Sequence, residues 1–242
     1  IAGLVKGASI GEGLGNKFLS HIRECHAIAQ VLRFFEDADI THVHGGVNPK
    51  IDMDVVHLEL MLADLETVKK RLSDTEKKAK SGDKEFLWQA GVLSKVKTAL
   101  ESETLIIRMP LTDEEKAFLK TLQFLTAKPM LYIANLKEHE LAGFDVSAAR
   151  AKLGLSENEA ILPISAKVEE DLADFTPGDA EAYLRELGLK ESGLNAVIHA
   201  AYKLLGLQTY FTAGPKEVRA WTVRIGAKAP EAAGVIHTDF ER

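Results

Sequence analysis

Apolar and polar positions alternate along the chain in a way that predicts helices and short buried strands by turns. Phe18, Leu19, Ile22, Cys25, Ala29, Leu32 and Phe35 keep helical spacing from Asn16 onward. Val31, Leu32, Phe34 and Phe35 are strand formers, so the helix is expected to give way to a strand near His26. Asp52 to Lys80 reads as one long helix, with Val55, Leu58, Leu62, Leu65 and Leu72 as its seam and Lys69 interrupting it. Ser81-Gly82-Asp83 breaks it, and Lys84 to about Glu101 forms a second helix with Phe86, Ala90, Leu93, Val96 and Leu100 on one face. Two such helices across a short loop predict an antiparallel hairpin that projects from the domain.

Leu105 to Arg108 is a short β-prone piece. Thr112-Asp113-Glu114-Glu115 is a capping box and predicts a helix running to about Thr126. Pro129 then bars a helix, and Met130 to Ala134 reads as a buried strand. Phe144 to Leu153 predicts a helix started by Asp145, and Ala160 to Ile164 a second apolar strand. Gly178 to Leu187 and Leu194 to Leu205 are expected helices. From Gln208 the texture changes. Thr209 to Thr212 and Ala220 to Ile225 predict strands, Gly226 to Pro230 a turn, and a helix begins near Glu231.

Composition narrows the class. The 242 residues are 46% hydrophobic and 27% charged, ordinary for a globular protein. The net charge of −6 removes a global basic signature for nucleic acid and leaves room for a local one. The hairpin tip supplies a candidate: Lys69, Lys70, Arg71, Lys77, Lys78, Lys80 and Lys84. It is either a solvated charged tip or a surface for an anionic partner such as RNA. One cysteine, Cys25, excludes an internal disulfide and fits a reducing compartment. No apolar run is long enough to span a bilayer. Ile1-Ala2-Gly3-Leu4-Val5 resembles the end of a buried strand, which predicts that the chain is a fragment.

The candidate chemistry sits at three strand ends. Ile1 to Gly15 holds five glycines among apolar residues, so its bare N–H groups can approach an anion. Asn135-Leu136-Lys137-Glu138 ends one strand and Ser165-Ala166-Lys167 another. In open α/β sheets ligands bind at such carboxyl ends. His42 and His44 stand two residues apart in a polar loop, but no third ligand is near, so a zinc site is not expected.

In this order the three loops resemble the later nucleotide motifs of the P-loop GTPase superfamily: Asp-x-x-Gly, Asn-Lys-x-Asp and Ser-Ala-Lys. The narrower resemblance is to the Obg-related YchF, or Obg-like ATPase, family. It rests on Ile-Ala-Gly-Leu-Val-Lys-Gly-Ala-Ser, Gly-Glu-Gly-Leu-Gly-Asn, Asn-Leu-Lys-Glu, the hairpin insertion, Leu-Gln-Thr-Tyr-Phe-Thr-Ala-Gly and Val-Arg-Ala-Trp-Thr. It implies an α/β fold: part of a Ras-like three-layer sheet with an inserted helical hairpin, followed by the start of a β-grasp TGS domain. The implied division is 1–48 and 112–205 for the two parts of the G domain, 49–111 for the hairpin and 206–242 for an incomplete TGS domain.

The resemblance also implies a switch ATPase that uses ATP and Mg2+ in the cytoplasm and associates with the ribosome through hairpin and TGS domain. The family's P-loop lysine and magnesium ligands would lie upstream of Ile1, so the 242 residues alone are expected to be inactive. A non-enzymatic ribosome- or RNA-binding module, in which nucleotide only controls shape, is the rival reading. Gly3 would meet the γ-phosphate through its amide. Asn135 and Leu136 would meet the base edge, with Ser165, Ala166 and Lys167 lining its other side. Guanine readers carry lysine and aspartate where this chain has Leu136 and Glu138. The longer glutamate displaces its carboxylate from the guanine N–H groups, which argues for lost guanine specificity. Leu4 stands where Ras-like relatives hold a water-positioning glutamine, and the family resemblance offers His42 as the substitute base.

Overall fold

The computed structural model describes residues 14–37, 39 and 46–241. Gly3, Leu4, His42 and His44 lie outside the described residues, as does the glycine-rich stretch up to Gly13.

A three-stranded parallel sheet forms the centre, in the order β1 (Ile28–Arg33), β2 (Met130–Asn135), β3 (Ala160–Ile164). Ile28 pairs with Met130 and Arg33 with Asn135, and Asn135 in turn pairs with Ile164. All three strands therefore finish level. Beneath one face lie α1 (Leu14–Glu24), the base of α2 (Pro49–Ala79) and α5 (Val146–Leu153). Their shared core holds Leu19, Leu32, Leu60, Leu125, Tyr132 and Leu153, all below 5% exposed. On the other face α8 (Gly193–Leu205) packs against β2 and β3. Two faces covered by helices explain why β2 carries an unbroken apolar run rather than alternation.

The hairpin forms as the spacing predicts. Asn48 caps α2 by accepting from the Lys50 and Ile51 amides, with Pro49 at its first turn. Asp83 caps α3 (Lys84–Glu101) through the Glu85 amide. The 31 residues of α2 give a rod of roughly 46 Å. Its stripe differs from the one the leucines suggest. Leu58 is 37% exposed, while Met53, His57, Leu60 and Asp64 face the protein interior. The base of α2 packs on the sheet and its middle on α3, so one apolar seam cannot serve both.

A second core joins α2 and α3 to the segment that follows them. Met61, Val68, Val92, Leu93 and Val96 pack with Leu105, Ile106, Met109, Leu119 and Phe124. The β-prone piece at Leu105 to Arg108 becomes a 3-10 turn, Ile106–Arg108, with no neighbouring strand to join. The capping box on Thr112 is present, with Glu115 reaching back to the Thr112 amide. Its helix, α4 (Asp113–Lys120), stops six residues short of Thr126 because Gln123 takes a left-handed φ of 53° and turns the chain into the sheet.

One helix is not announced by the apolar pattern: α6 (Ala166–Ala173) starts directly after β3. α7 (Pro177–Glu186) follows. The last part is an antiparallel pair, β4 (Leu207–Ala213) with β5 (Val218–Arg224), and α9 (Ala229–Ile236) lies against β5.

Candidate functional site at the strand ends

β2 and β3 end side by side, and the residues after them build one surface. The Leu136 amide continues the ladder by donating to the Ile164 carbonyl at 2.8 Å, which holds Leu136 at 5% exposure. The Asn135 side chain turns sideways. Its Oδ1 accepts from the Ala166 amide at 3.0 Å, joining the Asn-Leu-Lys-Glu loop to the Ser-Ala-Lys loop. An apolar side chain at 135 could not make that bond, so the asparagine fixes the spacing of the two loops.

Ser165 occupies the N-cap of α6, where a serine hydroxyl ordinarily accepts an amide proton. Here it makes no such bond. Ser165 is 2% exposed and its Oγ has no partner among the described residues. A buried, unpaired hydroxyl costs free energy unless something bonds it. It directly follows β3 and precedes the Ala166 amide that bonds Asn135, so it lies where the two loops are joined.

The structure places the other predicted residues less closely. Glu138 is exposed at the start of a 3-10 turn, Glu138–Glu140. Its carboxylate lies by Tyr183 of α7, and burial and then Glu138 push the Tyr183 phenol up. Lys167 turns onto its own helix, with Nζ 2.9 Å from Asp171 and 3.1 Å from Glu170; those bonds, Asp171 first, hold its ammonium above the usual lysine range. The described geometry thus brings together Asn135, Leu136, Ser165 and Ala166, with Glu138 and Lys167 at the rim.

Two supporting contacts carried no sequence signal. Glu169 accepts from the Gly193 and Leu194 amides at 2.7 and 3.1 Å, pinning α6 to the start of α8. Position 193 has no room for a side chain: a Cβ there would meet Ile164 Cγ2 at 2.7 Å and Glu169 Oε1 at 2.9 Å. Lys137 reaches Asp37, 3.7 Å away, and ties the β2 loop to the chain leaving β1. Each of these links residues far apart in sequence, which no local pattern announces.

Comparison with known proteins decides the family. The chain is 50% identical over 245 residues to the Bacillus subtilis protein named ribosome-binding ATPase YchF, covering 100% of this chain and 67% of that one. The protein of the same name from Escherichia coli O157:H7 is 50% identical over 242 residues, again 100% of this chain and 67% of its own. The chain belongs to the YchF family. Among solved structures, the Schizosaccharomyces pombe YchF GTPase superposes with a TM-score of 0.83 at 39% identity, covering 99% of this chain and 66% of that one. The chain therefore spans about two thirds of the length of these YchF proteins. Residues 207–242 match the family model YchF-GTPase_C, described as a protein of unknown function (DUF933). That match opens at Leu207, where β4 begins. YchF membership establishes the α/β fold, followed by a C-terminal domain.

Among the described residues no group of three or more His, Cys, Asp or Glu side chains could hold a metal ion. None of their helices is long and apolar enough to cross a membrane.

Proposed function

We propose that this chain supplies the base-reading half of a nucleotide switch that prefers ATP. The observation that carries this is the Asn135–Ala166 bond, which locks two strand-end loops together beside the Ser165 hydroxyl, itself without a partner among the described residues. Leu136 and Glu138 replace the lysine and aspartate of guanine readers. Adenine offers a bare N1 acceptor where guanine offers two protons, so a displaced carboxylate weakens guanine recognition and leaves adenine unaffected. In the intact protein Gly3 would meet the γ-phosphate and His42 would orient the attacking water, in the place that Leu4 cannot fill. Bound Mg2+ would supply charge neutralisation at the phosphates. No group of three or more His, Cys, Asp or Glu side chains among the described residues could hold it.

The 242 residues contain no Gly-x-x-x-x-Gly-Lys-Ser/Thr motif. Alone, the chain is therefore expected to bind nucleotide weakly and to turn over little, because a phosphate cradle provides most of the binding. The deciding experiment titrates ATP and GTP against the intact protein. ATP should bind more tightly, and Leu136→Lys with Glu138→Asp should move the preference toward GTP. A wild-type protein that prefers GTP would overturn the assignment.

A ribosome-associated role rests on the hairpin. The relatives' names state ribosome binding for those proteins. Here the tip from Lys69 to Lys84 holds seven basic and three acidic residues, and all seven basic side chains are exposed. We assign residues 49–111 and the TGS segment from 206 as the partner-facing parts and residues 1–48 and 112–205 as the nucleotide part, in a cytoplasmic protein. A passive module would bind its partner equally with and without nucleotide; a switch would not.

A further inference from the structure

At the opposite end of the strands from Asn135, a cleft of about 460 Å3 opens between the C-terminus of α1, the 3-10 turn at Ile106–Arg108, and α4. We propose that it is a binding site for a small amphipathic anion, with an aliphatic body and one acidic head. Ile106, Ile107, Met109 and Phe124 give it an apolar wall, and Ile107 remains 44% exposed there. Volume and lining suit a compact ligand whose body is dry and whose orientation is set by few polar groups.

The charge of the head follows from Lys128 and Lys120, which both line the cleft. Lys128 is partly buried, and its Nζ donates to the main-chain carbonyls of Arg23, at 3.0 Å, and Cys25. Carbonyl dipoles orient an ammonium but do not neutralise it. Burial accordingly holds Lys128 below the usual lysine range. Neither Lys128 nor Lys120 forms an ion pair among the described residues, whereas Arg23 is paired with Asp64 and Lys116 with Asp113. Glu24 is the single acid on the lining. Asp64 offsets part of the Lys128 charge from a distance, but neither ammonium has a carboxylate in contact, and two such groups beside an apolar wall would bond one carboxylate or phosphate head and reject a cation.

Cys25 lines the same cleft, is exposed, and is the only cysteine in the chain. Its alkylation by neutral iodoacetamide therefore reports occupancy. Dodecanoate below its micelle-forming concentration should slow alkylation several-fold and saturably. Dodecanol, with the same body and no charge, should protect clearly less. Lys120→Glu, on an exposed side chain, should weaken dodecanoate by roughly three- to tenfold, the scale of one surface attraction replaced by one repulsion, and leave dodecanol unchanged. Ile107→Glu should abolish protection by both while the circular dichroism spectrum stays that of wild type. Equal protection by dodecanol and dodecanoate would overturn the assignment of the head. Unprotected Cys25, or protection that survives Lys120→Glu at full strength, would overturn the site.

Discussion

Asn135 is a proposed site residue whose side chain also serves the frame. Its Oδ1 is taken up by the Ala166 amide, so Asn135→Ala removes a bond between two loops rather than only a group facing the ligand. ATP and GTP affinity should fall together, by about tenfold for a loss near 1.4 kcal/mol, as equilibrium titration of the intact protein would show. A loss confined to one nucleotide would mean that Asn135 reads the base directly. Gly193 acts one layer further out. Gly193→Ala forces a Cβ into Ile164 or the Glu169 carboxylate, and overpacking of this kind costs about 1–3 kcal/mol. Urea denaturation should record that loss without a change in the slope. That Asn135, Leu136, Glu138, Ser165, Ala166 and Lys167 stand at strand ends was legible, because the apolar runs of β2 and β3 stop there. Tyr183, Glu169 and Gly193 were not legible, because their work is done across loops by partners distant along the chain, and a one-dimensional pattern holds no such distances.

At the scale of elements, the long helix is the instructive case. Its length, caps and partner helix follow from Asn48, the leucine spacing and Ser81-Gly82-Asp83. Its buried face does not, because three of the buried residues, His57, Glu59 and Asp64, are polar. Asp64, wholly buried, accepts from the Leu125 and Thr126 amides at 2.9 and 2.7 Å and from the Thr126 hydroxyl at 2.8 Å. It thereby fastens the hairpin to the chain entering β2. His57 Nε2 lies 3.1 Å from the Tyr132 hydroxyl in the middle of the sheet. Burial, and then Arg108, hold His57 near 4, below its ordinary 6.5. A depressed folded value means that this group favours the native state above pH 6.5 and withdraws that support as pH falls toward 4. The gap is worth roughly 3 kcal/mol. Unfolding free energy measured from pH 7 to 4 should show a steeper fall for wild type than for His57→Gln, which carries no titrating ring. Parallel profiles would show that the imidazole titrates as it does in the unfolded chain.

For the whole molecule, the proposed function divides the labour between the hairpin and the strand ends. The tip is joined to the sheet through two successive cores, the one around Val68 and Val96 and the one around Leu60 and Tyr132. Packed cores of this kind transmit a tilt rather than absorb it. Among the described residues, no hydrogen bond or ion pair joins the tip to the Asn135 surface or its supports, so partner binding and nucleotide binding should separate by mutation. Replacing Lys77, Lys78 and Lys80 with glutamate leaves α2 its helix formers and reverses three exposed charges. ATP affinity should stay within about twofold, since charges beyond a Debye length of roughly 8 Å are screened at physiological salt. Affinity for ribosomes in sedimentation assays should drop, and its dependence on salt should flatten, because every phosphate the tip no longer neutralises takes about one released counterion out of the slope. An unchanged salt slope would mean that the tip is a solvated end and that the ribosome is met elsewhere, with the TGS segment the next place to look.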